Sequence, residues 1–276
     1  MSERFTDFLY IGASKAGSTW LAQILHEHPE VFVPAAKGIW FFDRCYDRGP
    51  EWYASFFRVG PERVVGELSH DYFLSPVYAA RIESLLPDVK LIVCLREPCD
   101  WASSWYLQKR AEGLSRERDV DEFAERPDVV RHVDYFANLK PFYDLFPARN
   151  IHVRFFDDLC ADALTYVREI FTFIGADPAF DPPSIDRRIH TAREPRLNAL
   201  GVASFRVAQL MRRRGFGNAV GAVARTPAFE RLLFRRVSRK PELSATAARR
   251  LREPMAEGYD ALEELIGRPL PPAWRG

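Results

Sequence analysis

Phe8-Leu9-Tyr10-Ile11-Gly12-Ala13-Ser14-Lys15-Ala16-Gly17-Ser18-Thr19-Trp20 decides how the chain reads. Four apolar residues ending at a glycine predict a short buried strand. From Ser18 to His28, Trp20, Leu21, Ile24 and Leu25 recur at helical spacing, and Pro29 closes the helix. Between strand and helix, Gly12 to Thr19 forms a loop of the length that wraps a phosphate with backbone N–H groups. The helix that follows aims the positive end of its dipole at the same place. Ser18 and Thr19 add hydroxyl donors, and Lys15 adds a full charge. A glycine-rich turn with no ligand is the alternative that the loop alone leaves open.

Outward from this unit, strand and helix alternate. Val64-Val65-Gly66 predicts a second strand, Leu91 to Leu95 a central one and Ile151 to Phe155 another. Helices are expected over Val77 to Leu86, from Pro98 through Gln108, over Val129 to Phe146, and over Leu159 to Ile174 with Gly175 as the stop. Such alternation predicts an α/β fold, a P-loop-type parallel β-sheet flanked by helices. After Asp181-Pro182-Pro183 no further strand is convincing, and Ser244 to Ile266 reads as a last helix. The expected organisation is one domain over residues 1–276. Residues 1–180 form its α/β nucleotide-binding core, and 181–276 a helical part that covers acceptor and cofactor.

The 276 residues carry a formal net charge of +1 and are 47% hydrophobic. The bulk charge therefore carries no nucleic-acid footprint. Met1 to Asp7 is polar, the apolar run after it is too short for a secretory signal, and no stretch is apolar enough to span a bilayer. Cys45, Cys94, Cys99 and Cys160 lack zinc or redox spacing. A cytoplasmic chain with reduced thiols is expected. Residues 205–240 are dense in arginine and interleaved with apolar residues. They read as a solvated helical face, with peripheral contact to an anionic membrane or a large acceptor as the alternative.

The loop departs from the Walker A pattern, because Ser18 stands where that pattern has its lysine and Lys15 lies inside the loop. The strand Leu91–Leu95 ends in Arg96 and not in a magnesium-binding acid. A phosphate-rich ligand that needs no metal suits this arrangement. Lys15-Ala16-Gly17-Ser18-Thr19-Trp20 resembles the 5′-phosphosulfate loop of sulfotransferases that use 3′-phosphoadenosine 5′-phosphosulfate (PAPS). His28-Pro29, Pro34, Lys37 and Phe41-Phe42-Asp43 resemble the heparan-sulfate type and its bacterial relatives. Leu95-Arg96-Glu97-Pro98, with Ser104 and Tyr106, resembles the family's 3′-phosphate element.

The resemblance implies sulfuryl transfer from PAPS to a hydroxyl or amine, with release of adenosine 3′,5′-bisphosphate. It implies that Lys15, Ala16, Gly17, Ser18 and Thr19 hold the 5′-phosphosulfate and that Arg96 and Ser104 hold the 3′-phosphate. Trp20 would stack on adenine or serve as a core residue. Lys37 would lie near the transferred group, and Arg193 and Arg196 would close over the cofactor; plain surface charge is the alternative for each. The glutamate that follows the lysine in the heparan-sulfate branch is here Gly38, and that branch's later lysine is Leu68. His70, just after the second predicted strand, is the candidate base, with Glu67 second. His26, His28, His132, His152 and His190 read as surface or packing residues. The acceptor is expected to be a small molecule, glycan or lipid. Two other classes stay open, a P-loop small-molecule kinase and a non-catalytic nucleotide-binding or membrane-associated protein.

Overall fold

The computed structural model describes residues 6–35, 38–57, 60, 62–186, 193–195, 207, 211, 234–236 and 240–275. Five parallel strands, β1 (Phe8–Gly12), β2 (Val31–Phe32), β3 (Val64–Leu68), β4 (Lys90–Leu95) and β5 (Ile151–Phe155), lie in the order β2-β3-β1-β4-β5. Register is set by Phe8 opposite both Gly66 and Lys90, and by Leu91 opposite Ile151. β1 and β4 are buried on both faces, which explains why they read as unbroken apolar runs.

Side chains alternate across the sheet into two cores. Leu9, Ile11, Leu91 and Val93 face one core, shared with Trp101, Tyr135 and Leu251. Phe8, Tyr10, Ile92 and Cys94 face the other, shared with Leu21, Ile24, Tyr166 and Ile170. The flanking helices are α1 (Ser18–Glu27), α2 (Phe41–Arg44), α3 (Pro50–Ala54), α4 (Pro76–Leu85), α5 (Pro98–Ala111), α6 (Val120–Ala124), α7 (Pro127–Val133), α8 (Tyr135–Leu145), α9 (Phe156–Ala161), α10 (Ala163–Ile174) and α11 (Ala245–Ile266).

Two helices predicted as single pieces are broken in the structure. Asp134 interrupts the first and caps α8 by accepting the Ala137 N–H at 3.1 Å. Asp162 interrupts the second and caps α10 by accepting the Thr165 N–H at 3.0 Å. In both, a short acid satisfies amides that a continuous helix would have paired internally. A second correction concerns the C-terminal third, where β6 (Arg193–Pro195) and β7 (Phe234–Arg236) form a small antiparallel pair. The final helix runs as expected, capped by Ser244 and stopped by Gly267 at φ 69°. Apart from 207, 211, 234–236 and 240, the arginine-rich stretch lies outside the described residues.

The chain runs from β1 outward to β2 and β3 on one side, then to β4 and β5 on the other. The order therefore reverses between β1 and β4, and open parallel sheets bind ligands at the carboxyl ends of strands flanking such a reversal. The Gly12–Thr19 loop leaves β1 there, Arg96 follows β4, and His70 follows β3.

Candidate active site

The loop after β1 is held by its carbonyls. Tyr10 donates its hydroxyl to the carbonyl of Ala13 (2.8 Å), Trp101 its indole N–H to that of Ser14 (2.8 Å), and Arg96 Nη1 to that of Lys15 (2.5 Å). Three consecutive carbonyls are thus bound to side chains of β1, α5 and the β4–α5 junction. The N–H groups of Ser14, Lys15, Ala16 and Gly17 have no backbone acceptor among the described residues. The buried hydroxyl of Ser14 likewise has no partner there. Buried donors are rarely left in that condition, so this set fits an anion that accepts from several N–H groups together. Lys15 and Gly17 lie in the left-handed region at φ 61° and 86°, the turn that opens such a cradle. At Gly17 a Cβ would come within 2.8 Å of Leu159 Cδ2.

Lys15 supplies the charge. Burial, then the neighbouring cations Arg96, Lys240 and Lys109, lower its pKa to about 8, against Glu112. Each nitrogen of the Arg96 guanidinium makes one contact, with Nε at 2.6 Å and Nη2 at 2.5 Å from Asp100 Oδ2 and Nη1 on the Lys15 carbonyl, and the group lies 4.2 Å above the Phe156 ring. Tyr135 donates its hydroxyl to the Arg96 carbonyl at 2.6 Å. Asp100 also receives Lys240, whose ammonium bonds its carboxylate and, at 2.6 Å, its carbonyl. Ser104 lies half-buried one turn further along α5. Trp20 is 6% exposed and packs 6.2 Å from Tyr166, beside the loop and within the core cluster of α1 and α10.

At the end of β3 the sequence candidates separate. Glu67 has no exposed surface. Tyr53 and Tyr72 each donate a hydroxyl to it at 2.7 Å, and Ser69 donates a third. Burial raises its pKa against these donors. His70 is partly exposed, and its Nδ1 lies 2.9 Å from Asp71 Oδ1. Burial pushes Asp71 up, but His70 and Arg44 outweigh it and hold the carboxyl well below its ordinary range. An ionised Asp71 makes Nδ1 the donor and leaves Nε2 as the acceptor. The Trp40 ring meets the imidazole edge-on at 4.8 Å.

Gly38 adopts φ 78°, and a Cβ there would lie 2.5 Å from Trp40 Cε2. This backbone leaves no room for the carboxylate that the heparan-sulfate type carries. Leu68 is a core residue. Lys37, Arg196 and His190 lie outside the described residues, and of Arg193 only the backbone in β6 is described.

Sequence reasoning missed Tyr10, Trp101, Asp100 and Lys240. Trp101 and Arg96 reach the loop across separations of 87 and 81 residues, which no local pattern reports. His132 is one of the expected packing residues, stacked 4.9 Å from Trp101 with its Nδ1 2.8 Å from the Asp128 carbonyl. His28 is a packing residue as expected, 4.6 Å from Phe171 with its Nε2 on the Asp177 carbonyl.

A donor-lined loop at the reversal of a parallel sheet, with a lysine inside it and an arginine at the next strand end, defines a nucleotide-phosphate-binding α/β protein. The sulfotransferase domain model matches residues 5–194, and the chain belongs to that PAPS-dependent family. It is 35% identical over 104 residues to the membrane-associated sulfotransferase kil1 of Dictyostelium discoideum, covering 36% of this chain and 22% of that protein. It is 38% identical over 106 residues to human heparan sulfate glucosamine 3-O-sulfotransferase 6, covering 38% and 31%. These matches span less than a third of either relative. A sulfotransferase from Alicyclobacillus acidocaldarius shares the fold, with a TM-score of 0.70, 22% identity and coverage of 98% and 99%. Family membership sets aside the P-loop kinase.

Proposed function

We propose that this chain transfers a sulfuryl group from PAPS to a hydroxyl or amine of a small-molecule, glycan or lipid acceptor. The carrying observation is a loop held by its Ala13, Ser14 and Lys15 carbonyls while, among the described residues, the N–H groups of Ser14 to Gly17 have no backbone acceptor and the Ser14 hydroxyl has no partner. Fixed donors need no reorganisation as charge grows on the departing phosphate. Lys15 lies in the same loop and neutralises that charge. Ser18 and Thr19 begin the helix whose dipole faces it.

His70 is the base in this reading. Its Nε2 takes the acceptor proton as the acceptor oxygen or nitrogen bonds to sulfur and the sulfur–oxygen bond to the 5′-phosphate breaks. Asp71 orients the ring and stabilises the imidazolium, and Glu67 holds the β3 end in place. Residues 1–180 grip the nucleotide, and 181–276 cover the acceptor side of the same domain. Location in the cytoplasm, with or without contact to a membrane surface, belongs to the same reading. Among the described residues no helix is long and apolar enough to cross a membrane.

Calorimetric titration with adenosine 3′,5′-bisphosphate in EDTA tests the cofactor half. Binding without magnesium is expected, and binding of ATP–magnesium in its place would overturn the reading. For the base, His70→Ala should lower kcat about 10²–10⁴-fold with the bisphosphate affinity unchanged. Unaltered turnover with a competent acceptor would remove His70 from the mechanism.

A further inference from the structure

Gly38 and Trp40 both turn through the left-handed region, at φ 78° and 61°. A bulky residue rarely holds that backbone, and where it does the surroundings impose it. Here the Trp40 N–H bonds Ser69 Oγ at 3.3 Å, and its carbonyl accepts the N–H groups of Arg44 and Cys45 at 3.0 Å each. The turn folds the indole back over Gly38. A Cβ at residue 38 would lie 2.5 Å from Trp40 Cε2 and 2.8 Å from Nε1. The indole nitrogen thus stands where a side chain at 38 would begin.

The ring belongs to a closed circuit of contacts. The Arg44 guanidinium lies 4.2 Å above it and donates through Nη2 to Asp71 at 2.6 Å. Asp71 holds His70 Nδ1, and the imidazole meets the indole 4.8 Å away at 81°. Trp40 and His70 are both half-buried, and neither Nε1–H of the one nor Nε2 of the other has a hydrogen-bond partner among the described residues. The first nitrogen only donates. The second, with Nδ1–H on Asp71, only accepts.

A hydroxyl satisfies this pair. It has one proton for Nε2 and two lone pairs, one to accept from Nε1–H and one to attack sulfur. A neutral amine has a single lone pair. Used on sulfur, it leaves the indole N–H without an acceptor once the bound molecule excludes water, and sites built on hydrogen bonds reject such incomplete partners.

Resting on the transfer reading above, with His70 as the base, we propose that Trp40 is a specificity-determining residue: its indole N–H donates to the reacting oxygen, and the site takes hydroxyl acceptors over amines. In that step the oxygen–sulfur bond forms and the proton passes to His70 Nε2. The bond from sulfur to the 5′-phosphate oxygen breaks, and its electron pair stays on that oxygen.

Tyramine, a glucosamine oligosaccharide and sphinganine each carry a hydroxyl and an amine in one molecule, and water is a hydroxyl acceptor in every assay. Mass spectrometry locates the sulfate that wild type, Trp40→Phe and a variant with benzothienylalanine at position 40 transfer from PAPS. The last keeps the bicyclic ring and has sulfur in place of N–H. Wild type should form O-sulfates. Both variants should lower kcat for O-sulfation and for PAPS hydrolysis about five- to tenfold, raise the share of N-sulfate, and bind adenosine 3′,5′-bisphosphate as wild type does. Where no probe reacts, the hydrolysis rates alone decide. Mainly N-sulfated products from wild type, or unchanged rates in the benzothienylalanine variant, would overturn the contact and leave the transfer reading standing. Activity and bisphosphate affinity lost together in that variant would reduce Trp40 to a part of the fold. A wild type that moves no sulfuryl group even to water overturns the transfer reading itself.

Discussion

Lys15 sits among cations because its loop is tied to Arg96, and this gives its charge a testable signature. Its pKa is lowered to about 8 from 10.5, so the free protein binds fewer protons there than an unfolded chain does between those values. Stability therefore rises with pH across that window, and the penalty of holding the ammonium is complete below pH 8. A dianion in the loop favours the charged form and lifts the pKa again. Binding should then take up protons near pH 8–9, and affinity should fall as pH rises through that range. Calorimetry in buffers of different ionisation enthalpy reads the uptake directly. Lys15→Arg, whose guanidinium does not titrate there, should flatten the profile; an equal slope in that variant would assign the effect to Lys240, whose pKa burial and Arg96 also lower. Lys15 and Arg96 were legible in the sequence because each lies at a strand end that reads locally. Tyr10, Trp101 and Lys240 were not, since their roles exist only once distant segments meet. At Gly38 the sequence showed that a carboxylate was missing, while the reason needed the backbone turn and the Trp40 ring against it.

Among the elements, the β1–α1 loop and the end of β3 carry opposite kinds of constraint. Gly17 supplies a left-handed turn, and Gly17→Ala should cost about 1–2 kcal/mol in backbone energy while forcing Leu159 aside. A lower melting temperature together with weaker bisphosphate binding is expected; loss of stability alone would mean the loop tolerates a shifted turn. The β3 end is fixed from inside, by hydroxyls of α3 (Tyr53) and of the turn after β3 (Ser69, Tyr72) converging on Glu67. Tyr72 also accepts the Phe41 N–H at 2.9 Å, which ties α2 to the same point. Glu67→Gln sets an amide donor against three hydroxyl donors and should destabilise by about 1–3 kcal/mol. If Glu67 only positions His70, turnover falls partially and the pH profile keeps its shape. Abolished turnover at every pH with full thermal stability would instead make Glu67 the base. The sheet itself was readable because doubly buried parallel strands leave continuous apolar runs. β6 and β7 escaped because three-residue strands paired across some forty positions leave no period to detect.

Over the whole molecule, the C-terminal segment is bound to the nucleotide end of the sheet at several points. Lys240 rests on Asp100. Trp274 is fully buried 5.2 Å from Phe155 at the end of β5 and 5.7 Å from Tyr135. Tyr135 in turn holds the Arg96 carbonyl, and Arg96 holds the loop. Arg252 on α11 adds a salt bridge to Glu97 at 2.8 Å, the residue that caps α5. Trp274→Ala should therefore do two separable things. Emptying that volume should lower stability by about 3–5 kcal/mol, read by denaturant unfolding. Freed from its packing partner, Tyr135 should also hold the Arg96 carbonyl less firmly, so bisphosphate affinity should drop even well below the unfolding transition. Tyr135→Phe isolates the second effect, because it keeps the ring against Trp274 and removes only the hydroxyl. A similar loss of affinity in both variants, with a large stability loss only in Trp274→Ala, is the outcome that coupling through Arg96 requires. Undiminished affinity in Tyr135→Phe would restrict the Trp274 contact to holding the fold.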